Sequence, residues 1–112
     1  MVLLKNEGIL PLKAQGQKIA FIGKFAEKPR FQGGGSSHIN SFKITSALDA
    51  VKEVAEVTYA QGYDVKEDKI DEALLAEAVQ TAKEADVAVI FAGLPDAFES
   101  EGYDRSHMRM PD

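Results

Sequence analysis

The segment Glu99-Ser100-Glu101-Gly102-Tyr103-Asp104-Arg105 sets two carboxylates one residue apart, beside an arginine and a tyrosine. Such a cluster can exchange protons or grip a sugar, and acids with perturbed environments gather at functional sites. It also reads as a solvated loop with ordinary surface charges. Its position gives the first reading weight. The apolar run Val87-Ala88-Val89-Ile90-Phe91-Ala92-Gly93 just before it reads as a buried strand. Open α/β sheets place their chemistry in loops outside the carboxyl ends of their strands.

A second segment with chemical character is Arg30-Phe31-Gln32-Gly33-Gly34-Gly35-Ser36-Ser37-His38. Three glycines in series open backbone conformations closed to other residues and bring main-chain amides close to a ligand. No Gly-Lys-Ser/Thr follows them, and their spacing is neither Walker nor dinucleotide, which argues against a phosphate cradle. A flexible linker is the plain alternative, although Arg30 and His38 on either side favour a shaped loop. His38 and His107 have neither cysteine nor carboxylate partners at ligand spacing, so no metal site is expected. The adjacency of Ser36, Ser37 and His38 does not make a nucleophilic triad. No feature calls for a cofactor.

The elements that must hold these loops alternate along the chain. Lys18-Ile19-Ala20-Phe21-Ile22-Gly23 reads as a strand apolar on both faces, as in a doubly covered parallel sheet. A connection of about 20 residues follows, from Lys24 to Lys43, a length that is functional or disordered in most α/β domains. Ile44, Leu48, Val51 and Ala55 recur at helical spacing behind a cap at Ser46-Ala47-Leu48-Asp49. Val57-Thr58-Tyr59-Ala60 reads as the second strand. Leu74, Leu75, Ala78, Val79, Ala82 and Ala85 predict a second helix, with Asp71 as its cap. Val87–Ala92 is the third strand. Residues 1–17, broken by Gly8, Pro11 and Gly16, read as an extended segment. The pattern β-α-β-α-β predicts an α/β fold, a parallel three-layer sandwich with right-handed crossovers. The unit is incomplete, because doubly wound domains carry about five or six strands. An open sheet edge of this kind invites a partner chain or self-association.

The 112 residues suffice for one small core, not for a barrel of about 250 residues. A net charge of −5 supplies no basic stripe for nucleic acid or an anionic membrane. Cysteine is absent, which excludes disulfides and thiolate chemistry. No run approaches the ~20 apolar residues of a membrane span, and Met1-Val2-Leu3-Leu4-Lys5 is too short for a signal peptide. The expectation is a soluble chain, with the cytoplasm slightly favoured.

Three blocks in order carry a family resemblance. VLLKNEGILPL (2–12), KIAFIG with QGGGSS (18–23 and 32–37), and VAVIFAGLPDAFESEGYDRSHMRMP (87–111) resemble the C-terminal α/β-sandwich domain of family 3 glycoside hydrolases, the β-glucosidase and β-xylosidase group. The resemblance implies that residues 1–17 are an interdomain connection and residues 18–112 part of that second domain. It implies a retaining β-glycosidase whose nucleophilic aspartate belongs to an N-terminal barrel, with the acid/base glutamate supplied by the second domain. Retaining enzymes hold these two carboxyl groups about 5–5.5 Å apart. Glu101 is then the acid/base residue, with Glu99 the alternative. Ser36 or Ser37 would offer a hydroxyl to a β-linked glucoside, with Arg30, Asp104 and Arg105 also in the substrate-binding set, and Arg30 would pair with an acid of the same rim. Asp104 and Arg105 would brace the loop as an ion pair, with Phe98 or Tyr103 as an apolar wall. A chain without the barrel would be a fragment, inactive alone. The other reading is a free-standing flavodoxin-like module that binds a small ligand without chemistry.

Overall fold

The computed structural model describes residues 1–102 and 104–111. Three strands, β1 (Lys18–Ile22), β2 (Glu56–Ala60) and β3 (Val87–Ile90), form one parallel sheet in the order β2-β1-β3. The central place falls to β1, and Ile19, Ala20 and Phe21 at its middle are all buried. Pairing is in step: Phe21 stands between Tyr59 on one side and Val89 on the other.

The strand order decides where the helices lie. The chain leaves β1 for β2 in one direction, then crosses back over β1 to reach β3. With right-handed crossovers, that reversal sends the two connecting helices to opposite faces. On one face, α1 (Lys24–Glu27) and α2 (Ala47–Lys52) pack on each other over Ile19 and Phe21, with Ala26 and Leu48 buried between. On the other face, α3 (Glu72–Lys83) lies over β2 and β1, and its buried Ala78 and Ile22 of β1 both border Gly62. This is the three-layer α/β arrangement that the sequence predicts.

Local sequence explains the helix ends. The Ser46 hydroxyl accepts the Asp49 amide at 3.0 Å, and the Asp71 carboxylate accepts those of Ala73 and Leu74. Each bond satisfies an amide that the first helical turn leaves without a carbonyl. Two elements differ from expectation. The long connection after β1 contains the short α1 and a single 3-10 turn at Gly35–Ser37, neither marked by periodicity. The apolar stripe of α3 is only half covered: Leu75 and Val79 are each 45% exposed, and Ile90 on β3 is 69% exposed. The helix reaches β2 and β1 but leaves that face of β3 bare.

Residues 1–17 carry no helix or strand, and Met1 to Leu4 are exposed. No helix among the described residues is long and apolar enough to cross a membrane.

Candidate active site

The loops after β1 and β3 leave neighbouring parallel strands at their carboxyl ends, where the strand order reverses. Doubly wound sheets open a crevice at this switch point, because the two connections depart toward opposite faces. Here the two loops meet instead of parting, and side chains knit them together.

On the β1 side, the glycine loop is shaped. The Gln32 side chain donates to the Ile39 carbonyl at 3.0 Å and accepts the Ile39 amide at 2.5 Å. His38 closes the 3-10 turn by donating its amide to the Gly35 carbonyl. Gly35 holds φ at +70°, and a Cβ there would overlap the Glu101 carboxylate. A Cβ at Gly34 would come within 2.5 Å of the Ser100 hydroxyl. Both glycines let the two loops approach more closely than any side chain would permit.

Glu101 is fixed by that approach. Its Oε2 accepts the Ser36 amide at 2.9 Å and the Ser36 hydroxyl at 2.8 Å. Those two donors favour the ionised form and hold the carboxyl below the ordinary glutamate range, amide first and hydroxyl second. Glu101 otherwise faces solvent. It borders an open depression of about 480 Å³, lined also by Glu99, Ser100, Gly102, Asp104 and Arg105.

The other glutamate is occupied differently. Arg30 donates to the Glu99 carboxylate at 2.5 Å and to the Glu99 carbonyl at 3.1 Å. Its second terminal nitrogen donates to the Leu94 carbonyl at 2.8 Å, and its Nε lies 2.8 Å from Asp96. The side chain is only 20% exposed, and the Glu99 hydrogen bond is the main cause that raises its already high pKa.

The predicted site residues therefore divide. Glu101 joins Ser36, and Arg30 joins an acid of the rim, which is Glu99 together with Asp96. Ser37 turns inward, its hydroxyl donating to the Gly34 carbonyl at 3.2 Å. Asp104 and Arg105 line the depression but form no ion pair with each other among the described residues. Arg105 donates instead to the Arg109 carbonyl, one of the acceptors open to its five N–H donors. Tyr103 lies outside the described residues. Phe98 is half-buried, its amide donating to the Pro95 carbonyl in a turn.

Sequence reasoning gave no role to Asp96 or Ser100. The Tyr63 hydroxyl donates to the Phe91 carbonyl at 2.5 Å, tying the strand-end tyrosine to the start of the acid loop. The available signal for Asp96 was its place after Pro95, in the loop that follows the third strand. The described residues contain no group of three or more His, Cys, Asp or Glu side chains placed to hold a metal ion.

Comparison with known proteins bears directly on this arrangement. The sequence profile of the "Glycosyl hydrolase family 3 C-terminal domain" matches residues 1–112. The chain belongs to glycoside hydrolase family 3. Among family 3 relatives, it is 50% identical over 117 residues to thermostable beta-glucosidase B of Acetivibrio thermocellus, covering all of this chain and 15% of that protein. It is also 50% identical over 121 residues to an exo-alpha-(1->6)-L-arabinopyranosidase of Bifidobacterium longum, covering 99% of this chain and 16% of that one. The crystal structure of the Bifidobacterium adolescentis GH3 beta-glucosidase superposes with a TM-score of 0.84 at 49% identity, over 97% of this chain and 16% of that chain. The chain thus spans about one sixth of the length of these family 3 enzymes, and its α/β unit corresponds to part of their C-terminal sandwich.

Proposed function

We propose that this chain supplies the acid/base loop of a retaining β-glycosidase of the β-glucosidase type, with Glu101 as the acid/base residue. The supporting observation is the contact between Glu101 and Ser36. It presents one carboxylate at the carboxyl edge of the sheet, at the switch point, while Glu99 is engaged by Arg30.

In the retaining mechanism a glutamic acid first protonates the departing glycosidic oxygen. The same residue, now ionised, then takes a proton from the water that attacks the glycosyl-enzyme. Two donors from Ser36 favour the ionised state, which is the form the second step needs. The first step needs the protonated form near neutral pH, so the carboxyl pKa has to rise before proton transfer. Burial of this open loop against a barrel domain and a bound glycoside would supply that rise by desolvation. The nucleophile belongs to that barrel, so the chain by itself does not hydrolyse glycosides. Asp104 and Arg105 border the same depression and contribute to sugar binding. The open edges of β2 and β3 are covered by the remainder of the sandwich domain or by a second copy.

Membership of the family does not by itself fix the sugar. Two relatives named for different sugars are each 50% identical to the chain. The test is Glu101→Gln in the full-length parent enzyme. Turnover of an alkyl β-glucoside, whose leaving group needs a proton, falls by a factor on the order of 10²–10⁴. An activated aryl glucoside, whose leaving group departs unassisted, loses far less in the glycosylation step. Equal, small losses on both substrates would remove Glu101 from this role.

A further inference from the structure

Two glutamates stand in this loop, and the structure treats them unequally. Arg30 enters from the other loop, 69 residues away, and holds Glu99 by both its carboxylate and its carbonyl. The same guanidinium reaches Asp96 and the Leu94 carbonyl. Four groups between residues 94 and 99 therefore converge on one planar fork. A fork of this kind fixes direction as well as distance, which an ammonium does not. The clamp ends two residues before Glu101. Glu101 lies outside it, and its hydrogen-bond donors among the described residues are neutral, the Ser36 amide and hydroxyl.

We propose that Arg30 is the positioning residue that selects Glu101 over Glu99 as the acid/base group, an inference that rests on the proposed role of Glu101. Arg30 takes the Glu99 carboxylate out of reach of a glycosidic oxygen. It also anchors the stem of the loop, so that Glu101 projects from a fixed base. This departs from the expectation that Arg30 binds sugar: both terminal nitrogens donate to the protein, Nε is buried beside Asp96, and the side chain is largely shielded from solvent. Side-chain placement of this kind matters steeply, since a displacement of about 1 Å can cost on the order of 10²-fold in rate.

The experiment uses the full-length parent enzyme, with an alkyl β-glucoside and an activated aryl β-glucoside as substrates. The variants are Arg30→Met, Arg30→Lys, Glu99→Gln, the double variant Arg30→Met/Glu99→Gln, and Glu101→Gln as reference. Arg30→Met is expected to lower kcat on the alkyl glucoside by about 10- to 100-fold, with KM changed far less. Its loss on the aryl glucoside is smaller. Arg30→Lys recovers part of the loss, keeping the charge without the fork. Glu99→Gln alone costs only a few-fold, and the double variant is no worse than Arg30→Met, as for two members of one unit.

Equal losses on both substrates, or no recovery with lysine, would overturn the proposal. A leaving-group-dependent collapse in Glu99→Gln would overturn it too, by making Glu99 the acid. If Arg30→Met does not fold, Arg30→Lys still decides: its smaller loss must be confined to the alkyl glucoside. The Glu101→Gln reference separates the two claims. If that variant shows the leaving-group dependence and the Arg30 variants do not, only the selection by Arg30 falls. If Glu101→Gln shows none, the acid/base reading falls first.

Discussion

Glu101 and Ser36 meet through a single oxygen, with Oε2 accepting both the amide and the hydroxyl of Ser36 across 65 residues of chain. Neither bond involves Oε1. The contact joins the loop of the central strand to the loop of its neighbour, so it is both a brace and an electrostatic device.

The electrostatic consequence has a definite sign. The folded pKa of Glu101 lies below its ordinary value because Ser36 favours the carboxylate. The contact therefore contributes fully above the ordinary glutamate range and is lost as pH falls through the lower folded value. Ser36→Ala keeps the amide and removes the hydroxyl, so the Glu101 carboxyl should titrate at higher pH than in the parent chain. Carboxyl-carbon NMR titration of the chain reads this directly. An unchanged midpoint would mean that the serine hydroxyl does not hold the glutamate in solution.

The glycines make a separable prediction. Gly35 has a positive φ and no room for a Cβ beside Glu101. Gly35→Ala should cost about 1–2 kcal/mol in backbone strain. Its larger effect is local, because the new methyl group displaces the Glu101 carboxylate from Ser36. The expected signature is loss of the pH dependence of the Ser36 amide shift, with the signals of Ile19–Ile22 unmoved. Retention of that pH dependence would show that the loop yields without releasing Glu101.

Much of this was legible in the sequence, for physical reasons. The strands at Lys18–Ile22 and Val87–Ile90 are short apolar runs with charged or glycine boundaries, and a run that short has the length of a strand rather than of a helix. Ser46 and Asp71 announce helix starts, because a side-chain oxygen is the cheapest partner for an orphan amide. The order of elements predicts that both loops share one edge if their strands are neighbours, and β1 indeed pairs with β3. The site's inner wiring was less legible. Nothing local distinguishes Glu99 from Glu101, since their difference lies in Arg30 and Ser36, more than sixty residues distant. The resemblance implied a pair between Asp104 and Arg105, but Arg105 finds the Arg109 carbonyl instead, a partner four residues on that sequence does not mark. The half-bare stripe on α3 was invisible as well, because periodicity marks an apolar face without saying what covers it.

The core gives a prediction about folding. Phe21 is 8% exposed on the central strand, with its ring centroid 4.9 Å from that of Phe91. Phe21→Ala should cost about 3–5 kcal/mol through lost burial and an unfilled cavity. Domains are stable by only about 5–15 kcal/mol, and this one leaves apolar residues exposed on β3 and α3. Urea unfolding followed by circular dichroism should show the midpoint fall sharply or the transition disappear. A small shift would mean that the α2 face of the sheet repacks around the gap.

The opposite end of the sheet supplies a contrast. Asp86 accepts the Lys18 amide on its carboxylate at 2.9 Å and donates its own amide to the Lys18 carbonyl at 2.8 Å. This reciprocal pair starts the β1–β3 pairing at the amino edge, away from the glycine and acid loops. Asp86→Ala removes a charged acceptor from an exposed amide and should cost about 1 kcal/mol. Because β1 and β3 stay paired from Ile19 to Ile90, the register at the carboxyl edge survives. The titration of Glu101 should therefore match the parent chain while the urea midpoint falls. A shift of both together would show that the hold of Ser36 on Glu101 depends on the alignment of the whole strand pair, with strain passing from the amino edge to the acid loop.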